Sequence, residues 1–187
     1  PVAVVAVFLV GVSNASFSTL SAVYAERSGL GLGSIAFFAS IPILAGALAQ
    51  IPVGILSDRV DRRKVLVGLA VAALTADAAF VFLAPEGGSL NLALAALFGA
   101  AIFAMYPVIL AHANDHAEPG TAIQVSGGLL MVFGLGSIVG PLAAGAAMTG
   151  RAPTLLFAIT AAAHLAMIAF TLWRMRLRED LSPAEKT

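Results

Sequence analysis

There is no cysteine in the 187 residues, and charge is scarce: Asp, Glu, Lys and Arg make up 11% of the chain. The first absence excludes disulfides, thiolate metal sites and cysteine nucleophiles. The second excludes an ordinary water-soluble domain, which carries roughly 25% charged residues. Acidic and basic side chains balance at ten each, so no excess of positive charge points to nucleic acid. Two patterns are missing as well. No G-x-x-x-x-G-K-[ST] loop occurs to cradle nucleotide phosphates. No Ser stands in the G-x-S-G context of an intramembrane protease; Gly11-Val12-Ser13-Asn14 comes nearest and fails at its last position. No enzyme chemistry and no cofactor are expected.

What fills the chain is apolar: 60% of the residues are hydrophobic and mean hydropathy is +0.98. That much apolar surface cannot be hidden from water, so the chain reads as an integral membrane protein. A membrane helix needs about 20 mostly apolar residues. Six runs qualify, at roughly 1–24, 33–56, 65–84, 90–111, 122–148 and 153–173. Strands of a membrane barrel would alternate over about 10 residues, and these runs do not alternate. The expected fold is all-α, a six-transmembrane-helix bundle over 1–173 with a polar cytoplasmic tail at 174–187. The first residue is Pro1 and not Met, so the chain is expected to be part of a longer polypeptide.

Orientation follows from the basic residues, which collect on the cytoplasmic side of bilayers. Eight of the ten (Arg59, Arg62, Arg63, Lys64, Arg174, Arg176, Arg178 and Lys186) share the side of both chain ends, against Arg27 and Arg151 opposite. Both ends are therefore expected in the cytoplasm. The spans differ in character. Span 1 is rich in hydroxyls around Asn14, and span 2 carries Pro42, Gln50 and Pro52. Span 5 holds Gly136-x-x-x-Gly140-Pro141 and Gly145, a spacing that lets another helix approach closely. Spans 3 and 6 are greasier, which suits a lipid-facing or supporting place, with one ionisable residue each, Asp77 and His164.

Charge is densest from Gly54 to Lys64, between spans 2 and 3. There Gly54-x-Leu56-Ser57-Asp58-Arg59-x-x-Arg62-Arg63 resembles the G-x-L-[AS]-D-R-x-G-R-[RK] signature of the major facilitator superfamily, with Asp61 where the family usually has Gly. Tyr106-Pro107 and the span 5 glycines are similar to the corresponding helices of bacterial members. The resemblance implies the C-terminal half of a twelve-span secondary transporter in a bacterial inner membrane. Such a protein moves a small molecule by alternating access, driven by an ion gradient, as efflux or uptake. Its partners would be the bilayer and the missing N-terminal six-helix half, or a second copy. The resemblance makes Gly54, Asp58, Arg59, Arg62 and Arg63 a cytoplasmic gate, and Asn14, Ser18, Phe103 and Tyr106 pathway residues. The alternative is a half-length structural or regulatory membrane protein that does not transport by itself.

The residues carry readings of their own. Gly54 removes a side chain where span 2 would pack against another helix. Asp58 could bond free amides at another helix's N-terminus, while the basic cluster could instead hold anionic lipid headgroups. His112 and His116 share a helix face with Asp115 beside them. That arrangement suits a proton-coupling group, a divalent metal or a plain polar helix end. Asp77 lies about 12 residues into span 3, ~18 Å along a helix. A carboxylate at such depth is a candidate for proton coupling, or else it is hydrogen-bonded to a neighbouring helix.

Overall fold

The computed structural model describes residues 2–177. Six helices follow one another: α1 Val2–Arg27, α2 Leu32–Arg59, α3 Arg62–Leu83, α4 Gly88–Asn114, α5 Ala122–Met148 and α6 Leu155–Met175. Each is long and apolar enough to cross a membrane, and no strand occurs among the described residues. The protein is an all-α integral membrane bundle. Several helices outrun the apolar stretches that announced them. α1 continues through Glu26 and Arg27, α2 through Asp58 and Arg59, and α6 through Arg174 to Met175. An α-helix bonds its own backbone whatever the side chains are, so it continues past the apolar stretch into polar residues at the membrane surface. Of the expected tail, residues 178–187 lie outside the described residues.

α1, α3 and α5 begin at one end of the bundle, where α2, α4 and α6 finish. That end carries the charged hinge and is called the basic end below. The turn between α2 and α3 leaves only Val60 and Asp61 outside helix. Asp61 sits at φ −57° and its carboxylate accepts a 2.9 Å bond from the Arg63 amide, an N-cap for α3. The turn thus requires a capping side chain and no left-handed backbone, which is why Asp serves where Gly was anticipated. At the other four connectors a glycine does take positive φ: Gly29, Gly87, Gly120 and Gly150.

α1 is the most buried helix, running along α5 and α6; α4 runs along α2 and α3, and α3 also meets α6. Two crossings are closest. In one, a methyl group at Gly136 or Gly140 would strike the Phe8 or Val12 carbonyl of α1, and one at Gly11 would strike the Phe133 carbonyl of α5. In the other, Gly99 lies against Pro42. Backbones that touch in this way gain dispersion contacts, the main attraction between helices in lipid. At Gly145 and Gly54 an added Cβ meets nothing within 4 Å, so the close approach expected at each is not made among the described residues. Spans 3 and 6, expected in a lipid-facing or supporting place, meet each other along one side of the bundle. α2 and α5 are the most exposed helices, while α3 and α6 bury Asp77 and His164 between them. Pro141 is half-buried on α5.

The end opposite the basic one is filled by rings. Phe80 and Phe157 stack with centroids 3.8 Å apart, Tyr24 meets both edge-on, and Phe17, Phe38 and Phe98 complete the cluster. The Tyr24 hydroxyl donates to Asn91 Oδ1 at 2.8 Å, and Asn91 Nδ2 donates to the carbonyls of Pro85 and Gly87 at 2.7 and 2.8 Å. A buried hydroxyl and amide therefore satisfy each other and the backbone ahead of α4.

Candidate functional site

Four helices build a cavity of about 440 Å³ lined by Asn14, Ser18, Gln50, Phe103, Tyr106 and Ser137, among others. All four residues expected along a pathway lie in it: Asn14 and Ser18 from α1, Phe103 and Tyr106 from α4. Tyr106 meets Phe133 of α5 edge-on at 5.3 Å, which walls one side. Gln50 Nε2 donates to the Phe103 carbonyl at 3.2 Å, a carbonyl near Pro107, whose nitrogen offers no donor to the helix. Asn14 Oδ1 is buried without a hydrogen-bond partner among the described residues. An acceptor left open there is available to a guest with a donor. Sequence reasoning did not assign Gln50 or Ser137 to the pathway. Gln50 carried a signal, as the lone amide in an otherwise apolar span. Ser137 carried none, because only the α1–α5 crossing brings it to the cavity.

At the basic end Arg62 joins two segments. Its Nε donates to Asp115 Oδ2 at 2.7 Å, and its Nη1 donates to Asp58 Oδ1 at 2.9 Å and to Ser57 Oγ at 3.0 Å. The ends of α2 and α4 and the start of α3 are thereby tied through one guanidinium, whose planar fork suits two carboxylates at once. The two acids differ in setting: the Asp115 side chain is 4% exposed and that of Asp58 69%. Among the described residues Asp58 bonds Arg62 and not the amides of another helix. Arg63 lies on the other side, its Nη2 3.2 Å from Asp61 Oδ2. Arg59 is exposed. Reading the sequence placed Asp115 with the histidines; the structure turns it to Arg62. His112 and His116 have rings 4.7 Å apart, and His116 Nδ1 is 2.9 Å from the His112 carbonyl. No group of three or more metal-ligating side chains occurs among the described residues.

Asp77 stands apart from both places. Thr160 Oγ1 donates to Asp77 Oδ1 at 2.6 Å, and His164 Nδ1 is 2.7 Å from Oδ2, with Asp77, Thr160 and His164 all fully buried. The groups belong to α3 and α6, on the side of the bundle away from α2 and α5. Sequence reasoning weighed Asp77 and His164 separately, since 87 residues divide them.

Comparison with known proteins gives a consistent family. The family model described as Major Facilitator Superfamily matches residues 3–187. The uncharacterized MFS-type transporter YcaD of Salmonella paratyphi B and that of Salmonella newport are each 29% identical to this chain over 168 residues. Those matches cover 90% of this chain and 41% of the relatives, so the chain spans about two fifths of their length. With a family match over nearly its whole length and six membrane-crossing helices, the chain belongs to the Major Facilitator Superfamily.

Proposed function

We propose that this chain is the C-terminal half of a secondary transporter, which carries a small molecule by alternating access in a bacterial inner membrane. The observation that carries the reading is the cavity between α1, α2, α4 and α5, mostly apolar with Asn14, Ser18, Gln50 and Ser137 set into its wall, on the side where α2 and α5 are least covered. Leu44, Leu48 and Ile51 of α2 and Leu135, Ile138 and Leu142 of α5 are exposed there. A second six-helix unit, the missing N-terminal half, would cover these faces and close the cavity into a site at the junction of two repeats, where transporters of this kind bind. The excess of basic residues puts the hinge in the cytoplasm, with both chain ends.

In this reading the hinge is the gate. Arg62 is held mainly by Asp115, and Asp58 and Arg59 are left outward for contacts with the other half. Exchanging the Asp115 carboxylate for another partner of Arg62 would loosen the gate. His112 and His116 lie along the same helix end, and Asp77 is a further proton carrier candidate deep in the bundle. A rocking protein needs contacts worth only a few kcal/mol, made in one state and broken in the other.

The test uses the complete polypeptide in sealed vesicles, with flux measured over a panel of small organic compounds. Replacing Asn14 with Ala should weaken handling of the transported compound, and Asp58→Asn should cut flux severalfold at unchanged membrane insertion. Absence of flux for every compound would remove the transporter reading. Normal flux in Asp58→Asn would remove the gate alone.

A further inference from the structure

A second cavity, of about 500 Å³, opens at the basic end between helices that the gate and the pathway cavity use elsewhere. Its polar lining is Arg63, His112, His116, Gln124 and Arg174, drawn from α3, the end of α4 and the residues just beyond it, α5 and α6. Among the described residues no carboxylate lines it. Much of the remaining wall is apolar, with Val4, Leu129 and Val132 among it. Arg63 already has Asp61 as a partner. Arg174 differs: its Nε is buried with no hydrogen-bond partner among the described residues, in the last turn of α6. α1, α3 and α5 all start at this end, and α5 starts without a side-chain cap, so its first amides and the positive end of its dipole stay available. A buried guanidinium nitrogen and free amides above a greasy floor call for a ligand that is anionic at one end and hydrocarbon at the other.

We propose that this cavity is a binding site for a phosphate-bearing amphiphile. The headgroup sits between Arg174, Gln124 and the α5 N-terminus, with hydrocarbon against Leu129 and Val132. An acidic phospholipid of the adjoining leaflet and a soluble alkyl phosphate both have this chemistry. The cavity lies apart from the Asn14–Tyr106 pathway and has no residue in common with it. The competing occupant is the chain's own segment beyond Leu177, which contains Glu179 and Asp180.

Native mass spectrometry of the complete polypeptide in neutral detergent tests the proposal, with phosphatidylglycerol, phosphatidylcholine, hexyl phosphate and inorganic phosphate as probes. Phosphatidylglycerol should be retained in preference to phosphatidylcholine. Arg174→Gln should lower that retention about fivefold, as expected for one basic side chain at an anionic headgroup, and Arg174→Lys should restore part of it. Gly128→Leu tests the floor without touching charge. Gly128 lines the cavity and a Cβ there meets nothing within 4 Å, so the variant should fold and lose the preference. Displacement by hexyl phosphate identifies the soluble source, and resistance to it identifies the lipid. Unchanged retention in both Arg174→Gln and Gly128→Leu would overturn the site. Inorganic phosphate competing as well as hexyl phosphate would overturn the amphiphile. Retention only in a chain cut after Leu177 would make the cavity the seat of the terminal segment instead.

Discussion

The two ends of this bundle are held by different physics. At one, six aromatic rings from five helices close on each other, and Tyr24 pairs there with Asn91 as a neutral partner. At the other, one guanidinium joins three helices through two carboxylates of very different exposure. Dispersion between rings falls away within about an ångström of separation, so the aromatic end has one good arrangement. An ion pair can exchange its partner for water, a lipid headgroup or another helix at modest cost, provided the charge is never left bare. The difference teaches where this bundle can change partners and where it cannot.

The comparison breaks most sharply at Phe157. Removing the ring by Phe157→Ala should cost about 3–5 kcal/mol, read as loss of helical circular dichroism at lower denaturant in the complete polypeptide. A loss below about 1 kcal/mol would mean that the rings do not hold that end. Arg62→Leu comes next. It leaves the buried Asp115 carboxylate without its cation, at a cost of about 3 kcal/mol. The double variant Arg62→Leu with Asp115→Leu should recover most of that. If the double variant is no more stable than the single one, the pair is not the tie described. The smallest effect is at Tyr24→Phe, which deletes one neutral hydrogen bond and keeps the ring. About 1 kcal/mol is expected, independent of salt. A salt-dependent loss would mean that charge reaches the aromatic end after all.

Much of the architecture was legible before any coordinates. Six runs of about 20 apolar residues have no alternative to crossing helices, because a backbone in lipid must satisfy its own donors and acceptors. The hinge motif was legible because Gly54 to Arg63 is contiguous. The cavity residues Asn14, Ser18, Phe103 and Tyr106 were reachable through the resemblance, and the structure places them together. Partnerships across the chain were not legible. Asp115 stood two positions from Ala113 and four from Ala111, in a stretch that read as a histidine cluster, and nothing local turns it to Arg62, 53 residues earlier. Asp77 and His164 looked like isolated oddities on greasy spans until α3 and α6 were laid side by side.

The sequence by itself determined that this chain lives in a membrane, how many helices in it can cross and which connector carries the charge. Those properties are sums over neighbouring residues, and a bilayer enforces them segment by segment. Only the tertiary structure decided which glycines are crossings, which acid holds Arg62 and which helices stay uncovered. Gly136 and Gly145 look alike in one dimension, yet one meets the Phe8 carbonyl and the other meets nothing. Close packing is a property of two surfaces, and one chain segment specifies only its own.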